Sequence, residues 1–311
     1  MSDIDVKMPK ISIVIPAFNA ASFLGQTIAS VSAQSFDDFE IIVVDDGSTD
    51  ETAEIARTAD SRVRVVQQHN QGIAVARNAG LSECLGDWIA FLDHDDIWHP
   101  HKLKVQTEVL ERDSGCGIVY GEFLRWNPLT PPQFLDEPLE SRHIVPGLSG
   151  FIFPQLIQTN WVLLSTAVVR RSVFDVVGGF DPAMPPADDW DLMLRAAEHF
   201  RFVKLAQPLA LYRVHPGQTS LKLTPRNMEY ETRCRALARL RALDSGKVDM
   251  KGIRLRQFRA LFNYGLAQYD AGLYREACST FFSSLQHRAT SGKAAIYIAA
   301  SYARSLLQKH T

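Results

Sequence analysis

The first half of the chain alternates short apolar runs with segments of helical periodicity. Runs dominated by apolar residues predict four strands, over Ile11–Ile15, Phe39–Val44, Val63–Val66 and Trp88–Leu92. Apolar positions three and four residues apart predict helices over Phe23–Ala33 and Ile73–Cys84. Between them, Ser48 or Thr49 is placed to cap a further helix. Strands separated by helices form βαβ units, so we expect a mainly parallel sheet that is buried on both faces.

Three of these strands run into polar segments. Pro16–Asn19, Asp45–Ser48 and Asp93–Asp96 follow the first, second and fourth strands. Ligands of parallel α/β sheets bind outside the carboxyl ends of the strands, where these segments converge. Carboxylates gathered at one edge repel each other unless a cation or several hydrogen-bond donors lie between them. The pattern therefore predicts a site that holds a cation or a polar ligand, although each segment alone is also an ordinary turn.

The composition narrows the class of protein. The chain has 311 residues, of which 46% are hydrophobic and 22% charged, enough for a normal core. Its four cysteines lie far apart, which argues against a disulfide scaffold or a cysteine zinc site and favours a reducing compartment. We find no signal peptide, and polar residues interrupt the most apolar long window, Phe151–Val169. We therefore expect a soluble, cytoplasmic protein.

Charge is distributed unevenly along the chain. From Arg226 onward there are 15 Lys and Arg against 6 Asp and Glu, whereas the preceding part has 18 basic and 29 acidic residues. This shift predicts a boundary between a domain at 1–225 and a helical region at 226–311. The basic excess is either a solvated helical face or a surface for an anionic partner such as lipid headgroups.

An ordered set of motifs runs through residues 10–220. It comprises Pro16–Asn19, Val44–Asp50, Gly72–Gly80, Phe91–Trp98, Pro100–Leu103, Gly178–Asp181, Asp188–Leu192 and Tyr212–His215. In this order and spacing the set resembles family 2 glycosyltransferases. The resemblance implies a GT-A fold, a single Rossmann-like α/β domain with a central mixed sheet. It also implies inverting transfer of a sugar from a nucleotide diphosphate donor.

The resemblance also implies a divalent metal ion. Breaking the anomeric bond places negative charge on the leaving diphosphate, and a hard cation held by carboxylates stabilises that charge. By resemblance Asp95 reaches the metal, Asp93 contacts the ribose or lies in the outer shell, and His215 is a second ligand or a diphosphate contact. Both Mg²⁺ and Mn²⁺ suit such a site, and Mn²⁺ tolerates a histidine better.

Other residues are expected to hold the donor. By resemblance Asp46 accepts a hydrogen bond from the base, and the pocket is lined by Pro16, Phe18 and Asn19. An acidic acceptor suits the ring N–H of uracil, thymine or guanine, which favours UDP, dTDP or GDP sugars. Asn78 is expected on the nucleotide side, and Asp45 in the turn that Gly47 permits. Arg77 is either a diphosphate neighbour or an ion-pair partner.

Inverting transfer needs one general base to take the proton of the acceptor hydroxyl. The family has a Glu-Asp pair at the position of Asp188 and Asp189, and this implies Asp189 as the catalytic base. The shorter side chain at Asp188 departs from the family pattern, so its role is open. Asp191 is the alternative base. An acceptor sugar is expected to stack on Trp126, Phe134 or Trp161, although core packing explains each equally well.

The C-terminal region has an all-helical pattern. Residues Tyr264–Phe281 resemble one tetratricopeptide unit, with Gly265, Ala277 and Phe281 at its small and aromatic positions. A single unit cannot bury its face alone, so we expect it to pack on the catalytic domain, a second copy or a partner. Docking at the inner face of the membrane, near lipid-linked acceptors, is one hypothesis for the basic residues Arg233, Arg235, Arg239, Arg241, Arg254, Arg256 and Arg259.

Three other functional classes are alternatives to an active glycosyltransferase of surface polysaccharide synthesis. A sugar-nucleotide-binding or scaffold protein without turnover is the main alternative, and the intact set of Asp93, Asp95 and Asp189 argues against it. A dinucleotide-dependent oxidoreductase is disfavoured because no G-x-G-x-x-G follows the first strand. Nucleic-acid binding is disfavoured as well, because the basic excess lacks interleaved aromatic residues.

Overall fold

A computed structural model gives the fold of this chain. The structure describes residues 8–134, 138–184, 187–218, 250–288 and 291–308, with the isolated positions 225, 228–229, 232 and 235–236. The chain forms two compact units. Unit 1 contains residues 1–152, 161–182 and 195–215, and unit 2 contains residues 153–160, 183–194 and 216–311. The division of the chain at residue 225 stays a prediction.

Unit 1 is built on a mixed sheet of eight strands. Their bounds are β1 Ile11–Ala17, β2 Phe39–Asp45, β3 Val63–Gln67, β4 Trp88–Phe91, β5 Ile97–Trp98, β6 Cys116–Trp126, β7 Val168–Arg170 and β8 Arg201–Arg213. The spatial order is β3-β2-β1-β4-β7-β6-β8-β5. β1 to β4 pair in parallel, as do β6 and β8, while β7 pairs antiparallel with β4 and β6, and β5 with β8. The predicted mainly parallel, mixed sheet is confirmed.

Helices cover this sheet. In unit 1 they are α1 Leu24–Ser32, α2 Thr52–Ala59, α3 Ile73–Ser82, α4 Lys102–Arg112 and α6 Arg171–Val177. The predicted helices before β2 and before β4 are present, but the predicted cap of α2 is wrong. α2 begins at Thr52, whose N–H binds the Asp50 carboxylate, whereas Ser48 and Thr49 bind the loop after β1. Gly80 lets α3 approach the sheet, because an added Cβ would lie 2.3 Å from Val14 Cγ1.

The central strands form a closely packed core. All seven residues of β1 are buried, and so are six of the seven in β2. Side chains from both strands join those of α1, α4 and β8 in one apolar cluster. Burial of apolar surface of this extent drives folding of such a sheet. It also fixes the carboxyl ends of β1, β2 and β4, where the polar loops begin.

Unit 2 is helical. It contains α5 Phe153–Leu156, the first part of α7 Asp188–Ala197, α8 Met250–Asp270, α9 Tyr274–Leu285 and α10 Gly292–Leu307. The small residue Gly265 lets α8 approach α9, since a Cβ added there would lie 2.7 Å from Phe281 Cε1. Ala277 and Phe281 are fully buried, as expected of a packed helix pair. Within the described residues, no helix combines the length and apolar character needed to cross a bilayer.

Candidate active site

The loops after β1 and β2 are joined by hydrogen bonds. The Asn19 N–H donates to Ser48 Oγ at 3.0 Å, and the Thr49 N–H donates to Asn19 Oδ1 at 2.9 Å. Asn19 has a φ of 48°, a left-handed conformation that asparagine tolerates better than most residues. Phe18, beside it, is 44% exposed, and the carbonyl of Pro16 lies 3.3 Å from His94 Nδ1. Parallel pairing of β1 and β2 thus brings these two loops together, and the base pocket expected there stays a prediction.

Asp45 holds the turn after β2. Its carboxylate accepts the Ser48 N–H and the Gln67 amide, each at 3.0 Å. Burial acts to raise the pKa of Asp45, but these hydrogen bonds outweigh it and lower the pKa below its ordinary value. Gly47 has a φ of 79°, and a Cβ there would lie 2.8 Å from Asn70 N. Only glycine fits this turn without strain.

Asp46 binds the loop that leads into α3. Its Oδ1 accepts from the Gln68 amide at 2.7 Å and from the Gln71 N–H at 2.9 Å, and its Oδ2 accepts from the Gly72 N–H at 2.9 Å. The carboxylate is 4% exposed. A carboxylate can accept about four hydrogen bonds, so these three leave capacity for one more. The predicted contact of Asp46 with a base stays a prediction.

An ion pair lies behind the loop after β4. The Arg77 guanidinium donates to Asp93 Oδ1 at 2.7 Å, and the side chains are 5% and 27% exposed respectively. Of the two roles expected for Arg77, the structure shows the ion pair. Asp93 therefore has a partner from α3 that offsets its charge beside the other carboxylates of the loop.

Asp95 meets His215 across the sheet edge. His215 Nε2 lies 2.9 Å from Asp95 Oδ2, and the two side chains are 17% exposed or less. The neighbouring Arg213 donates from Nε to the Asp95 carbonyl at 2.5 Å. Its guanidinium stacks on Phe23 at 4.7 Å and on Trp126 at 4.4 Å. Packing of Arg213 therefore keeps the end of β8, and with it His215, beside Asp95.

Asp96 belongs to the Phe91–Trp98 motif, but the resemblance implies no role for it. It is fully buried and accepts the Arg213 N–H at 3.1 Å and the Ser165 hydroxyl at 2.7 Å. Burial, followed by the charges of Asp93 and Asp95, raises the pKa of Asp96 well above its ordinary value. Its position is structural, since it joins β8 to the loop after β4. Only its place in a run of four polar residues after a strand signalled it.

Asn78 binds the main chain of Phe180. The Asn78 amide donates to the Phe180 carbonyl at 2.7 Å and accepts the Phe180 N–H at 2.8 Å. These two bonds connect α3 to the Gly178–Asp181 motif. They give Asn78 a role in holding the protein chain, and its expected contact with the nucleotide stays a prediction.

Three carboxylates lie in the first turn of α7. Negative charge is favourable there because the N-terminus of a helix carries partial positive charge. Asp188 is 1% exposed and Asp191 5% exposed, while Asp189 is half-buried and accepts the Trp190 N–H at 2.6 Å. Asp189 is thus the most accessible of the three.

The aromatic residues differ in surroundings. Trp126 is 7% exposed, packs with Ile97 and Leu211, and donates from Nε1 to the Thr130 carbonyl at 2.9 Å. Phe134 packs against the same cluster. For these two, the expectation of core packing describes the structure, and the expectation of an exposed platform for Trp126 is wrong because the core covers its ring. Trp161 is 44% exposed.

Comparison with known proteins assigns the family. Residues 12–175, more than half of the chain, match the family model described as glycosyl transferase family 2. The chain belongs to glycosyltransferase family 2. An uncharacterised glycosyltransferase of Nostoc sp. is 31% identical over 237 residues, covering 73% of this chain and 71% of the relative. The amylovoran biosynthesis glycosyltransferase AmsB of Erwinia amylovora is 33% identical over 220 residues, covering 65% and 68%.

Solved structures share the fold of this family 2 chain. TarS 1–349 of S. aureus, solved with UDP-GlcNAc, has a TM-score of 0.64 at 18% identity and covers 95% of this chain and 88% of its own. The mannosyltransferase PcManGT of Pyrobaculum calidifontis, solved with GDP-Man and Mn²⁺, has a TM-score of 0.59 at 18% identity, with coverage of 97% and 81%. The expected GT-A fold is confirmed.

Proposed function

We propose that this chain transfers a sugar, with inversion, from a nucleotide diphosphate donor to a hydroxyl of a glycan or lipid-linked acceptor. Membership of glycosyltransferase family 2 supports the reaction class. The similarity to AmsB, named for amylovoran biosynthesis, supports a role in cell-surface polysaccharide synthesis. UDP, dTDP and GDP sugars are the proposed donors, held by Pro16, Phe18, Asn19, Asp46, Asn78 and Asp93.

The observation that carries this proposal is the contact between Asp95 and His215. The two lie 120 positions apart in sequence, yet their side-chain atoms are 2.9 Å apart. A carboxylate oxygen and an imidazole nitrogen are both ligands of Mn²⁺, and Mg²⁺ also accepts the carboxylate. Among the described residues no cluster of three or more such side chains occurs. Two protein ligands still fit an ion that is bound jointly with substrate phosphates.

The residues of the chain then have distinct tasks. When bound at Asp95 and His215, Mn²⁺ or Mg²⁺ would stabilise the charge of the departing diphosphate. Arg213 and Asp96 hold these two side chains in register through their bonds to the main chain. The ion pair of Arg77 and Asp93 fixes the first carboxylate of the same loop.

Asp189 is the proposed general base. Its carboxylate takes the proton of the acceptor hydroxyl while that oxygen attacks the anomeric carbon, and the bond to the diphosphate breaks on the opposite face. A single displacement of this kind inverts the configuration. The greater exposure of Asp189 relative to Asp188 and Asp191 supports this assignment.

The basic C-terminal residues support membrane docking less strongly than their number suggests. Arg233, Arg239 and Arg241 lie outside the described residues. Arg235 stacks on Trp190 at 4.9 Å, and Arg256 donates to Thr159 Oγ1 at 3.4 Å. Arg254 and Arg259 are exposed. Sedimentation with anionic liposomes tests docking, and an absence of binding at low salt would exclude it.

A donor panel tests the proposed function. Hydrolysis of UDP-, dTDP- and GDP-sugars is measured with Mn²⁺, with Mg²⁺ and with EDTA, for the wild type and for Asp95→Asn and His215→Gln. We expect one nucleotide to be preferred, activity to require the metal, and each variant to lose about 10²-fold or more. Leu85→Ala is the control, because Leu85 is exposed and precedes the amino end of β4, whereas Asp93–Asp96 follow its carboxyl end. Metal-independent nucleotide binding without turnover would instead favour a scaffold protein.

A further inference from the structure

Trp161 is one of the exposed aromatic side chains of unit 1, at 44%. It precedes Ser165 by four positions, which span at most about 14 Å of main chain. Ser165 Oγ donates to Asp96 Oδ2 at 2.7 Å and accepts the Asp93 N–H at 3.3 Å. The main chain at Trp161 therefore lies within about 14 Å of a residue that binds the loop carrying Asp95.

A buried ammonium group lies against this indole. Lys204 Nζ is 5.6 Å from the centroid of the Trp161 ring, a cation–π distance. The same Nζ is 2.5 Å from Glu122 Oε1, and the Lys204 side chain is only 3% exposed. Pairing of β6 with β8 brings Glu122 and Lys204 together, with Tyr120 opposite Lys204 in the register.

Glu122 faces outward from this pair. Its side chain is 46% exposed, although its partner is almost completely buried. The ion pair that the structure shows for Glu122 joins its Oε1 to Lys204 Nζ. The other carboxylate oxygen therefore has capacity to accept hydrogen bonds from a ligand.

Stability does not account for this arrangement. Burying an ammonium group costs free energy that one ion pair seldom repays, and an apolar side chain at position 204 would be at least as stable. Trp161 leaves 44% of its surface exposed, although tryptophan is highly buried on average. The three groups together have a net charge of zero, an aromatic surface and an oriented acceptor.

We propose that Trp161, Glu122 and Lys204 form a subsite for a neutral pyranose ring of the acceptor glycan. The apolar face of the sugar stacks on the indole, and its hydroxyl groups donate to the free oxygen of Glu122. Lys204 is a positioning residue, because its ammonium group contacts both the indole of Trp161 and the carboxylate of Glu122 and so orients them. This subsite rests on the proposed transfer reaction and adds the chemistry of its acceptor.

The test measures binding of glycans and, separately, hydrolysis of the nucleotide-sugar donor. Fluorescently labelled wild type, Trp161→Ala, Trp161→Phe and Glu122→Gln are applied to a printed array of bacterial polysaccharide fragments. We expect the wild type to bind at least one neutral fragment, Trp161→Ala to lose about tenfold or more, and Trp161→Phe to retain part of it. Glu122→Gln is expected to weaken binding severalfold, since the amide accepts fewer hydrogen bonds.

The matched control is Leu85→Ala. Leu85 is 49% exposed against 44% for Trp161, and it precedes the amino end of β4. It should bind the array as the wild type does. Hydrolysis of the preferred nucleotide sugar, which needs no acceptor, should be unchanged in Leu85→Ala. Equal array binding by wild type and Trp161→Ala, or no binding of any neutral fragment by the wild type, would overturn the subsite. If the wild type hydrolyses no nucleotide sugar, the proposed reaction itself is overturned.

Discussion

Arg77 donates to Asp93 at 2.7 Å from a position that is almost fully buried. Removing one partner of such a pair leaves the other charge without compensation, whereas removing both relieves it. We expect Arg77→Met and Asp93→Asn each to lower the free energy of unfolding by about 1–3 kcal/mol. The double variant should lose at least about 1 kcal/mol less than the sum of the two.

Urea unfolding of the four proteins measures this coupling. The exposed pair of Arg64 and Glu83 is the internal control, with side chains 42% and 44% exposed. A cycle on that pair should give about 0.5 kcal/mol or less, because solvent screens it. Equal coupling free energies in both pairs would show that burial of Arg77 does not strengthen its interaction with Asp93.

Gly47 provides a test of backbone strain. Its φ of 79° and its approach to Asn70 N leave no room for a Cβ. We expect Gly47→Ala to destabilise the protein by about 1–3 kcal/mol in thermal or urea unfolding. Gly147, in the same unit, has nothing within 4 Å of an added Cβ, so Gly147→Ala should change stability by less than about 1 kcal/mol. A similar loss in both variants would contradict the strain at Gly47.

The carboxylates of α7 separate chemistry from structure. Asp189→Asn should lower sugar transfer by about 10²–10⁴-fold, the usual share of a general base. Nucleotide binding, measured as a thermal shift, should stay at the wild-type level. Asp188→Asn and Asp191→Asn change the two buried positions. Each should lower the melting temperature, whereas the transfer rate per folded molecule should stay near that of the wild type. If Asp191→Asn is inactive but still binds the donor, the general base is Asp191 and not Asp189.

His99 makes stability depend on pH. It is 8% exposed and lines a cavity of about 790 Å³, together with Lys104 of α4, Phe134 and Leu139. Burial, and then the neighbouring His101, lowers the pKa of His99 from 6.5 to about 4. The unfolded chain therefore binds a proton between these pH values and the folded chain does not, so stability falls as pH falls through this window.

We expect this histidine to contribute up to about 3 kcal/mol of the loss between pH 6.5 and 4. His99→Asn keeps an acceptor for the His101 N–H, which His99 Nδ1 accepts at 3.1 Å, but does not titrate. Urea unfolding at several pH values should show a shallower slope for this variant. Parallel slopes would mean that the pKa of His99 is the same in the folded and the unfolded chain.

The sequence predicted β1 to β4 well, because their apolar runs and the helices between them have local signals. It did not predict that β6 and β8 pair in parallel over their whole length, since their partners lie some 85 positions apart and no periodicity marks the pairing. The same limit applies to the site. Motifs located Asp95 and His215, but the role of Arg213 depends on two aromatic rings that only the folded chain brings to it.

Roles inside the loops were also beyond the sequence. Whether Arg77 contacts phosphate or a carboxylate depends on side-chain geometry, and so does the division of work between Asp45 and Asp46. Tertiary burial decides which aromatic residue is exposed. Trp126 and Trp161 each have an asparagine as a sequence neighbour, yet one lies in a core cluster and the other is 44% exposed.

β5 follows directly on the Asp93–Asp96 segment and has β8 as its partner in the sheet. The ribosome makes β8 long after it has made that segment. A nascent chain that ends before Arg201 can therefore complete the parallel pairing of β1 to β4, but it lacks the two hydrogen bonds that Arg213 donates to Asp95 and Asp96. The proposed site must be completed late in synthesis, after the sheet around it has begun to form.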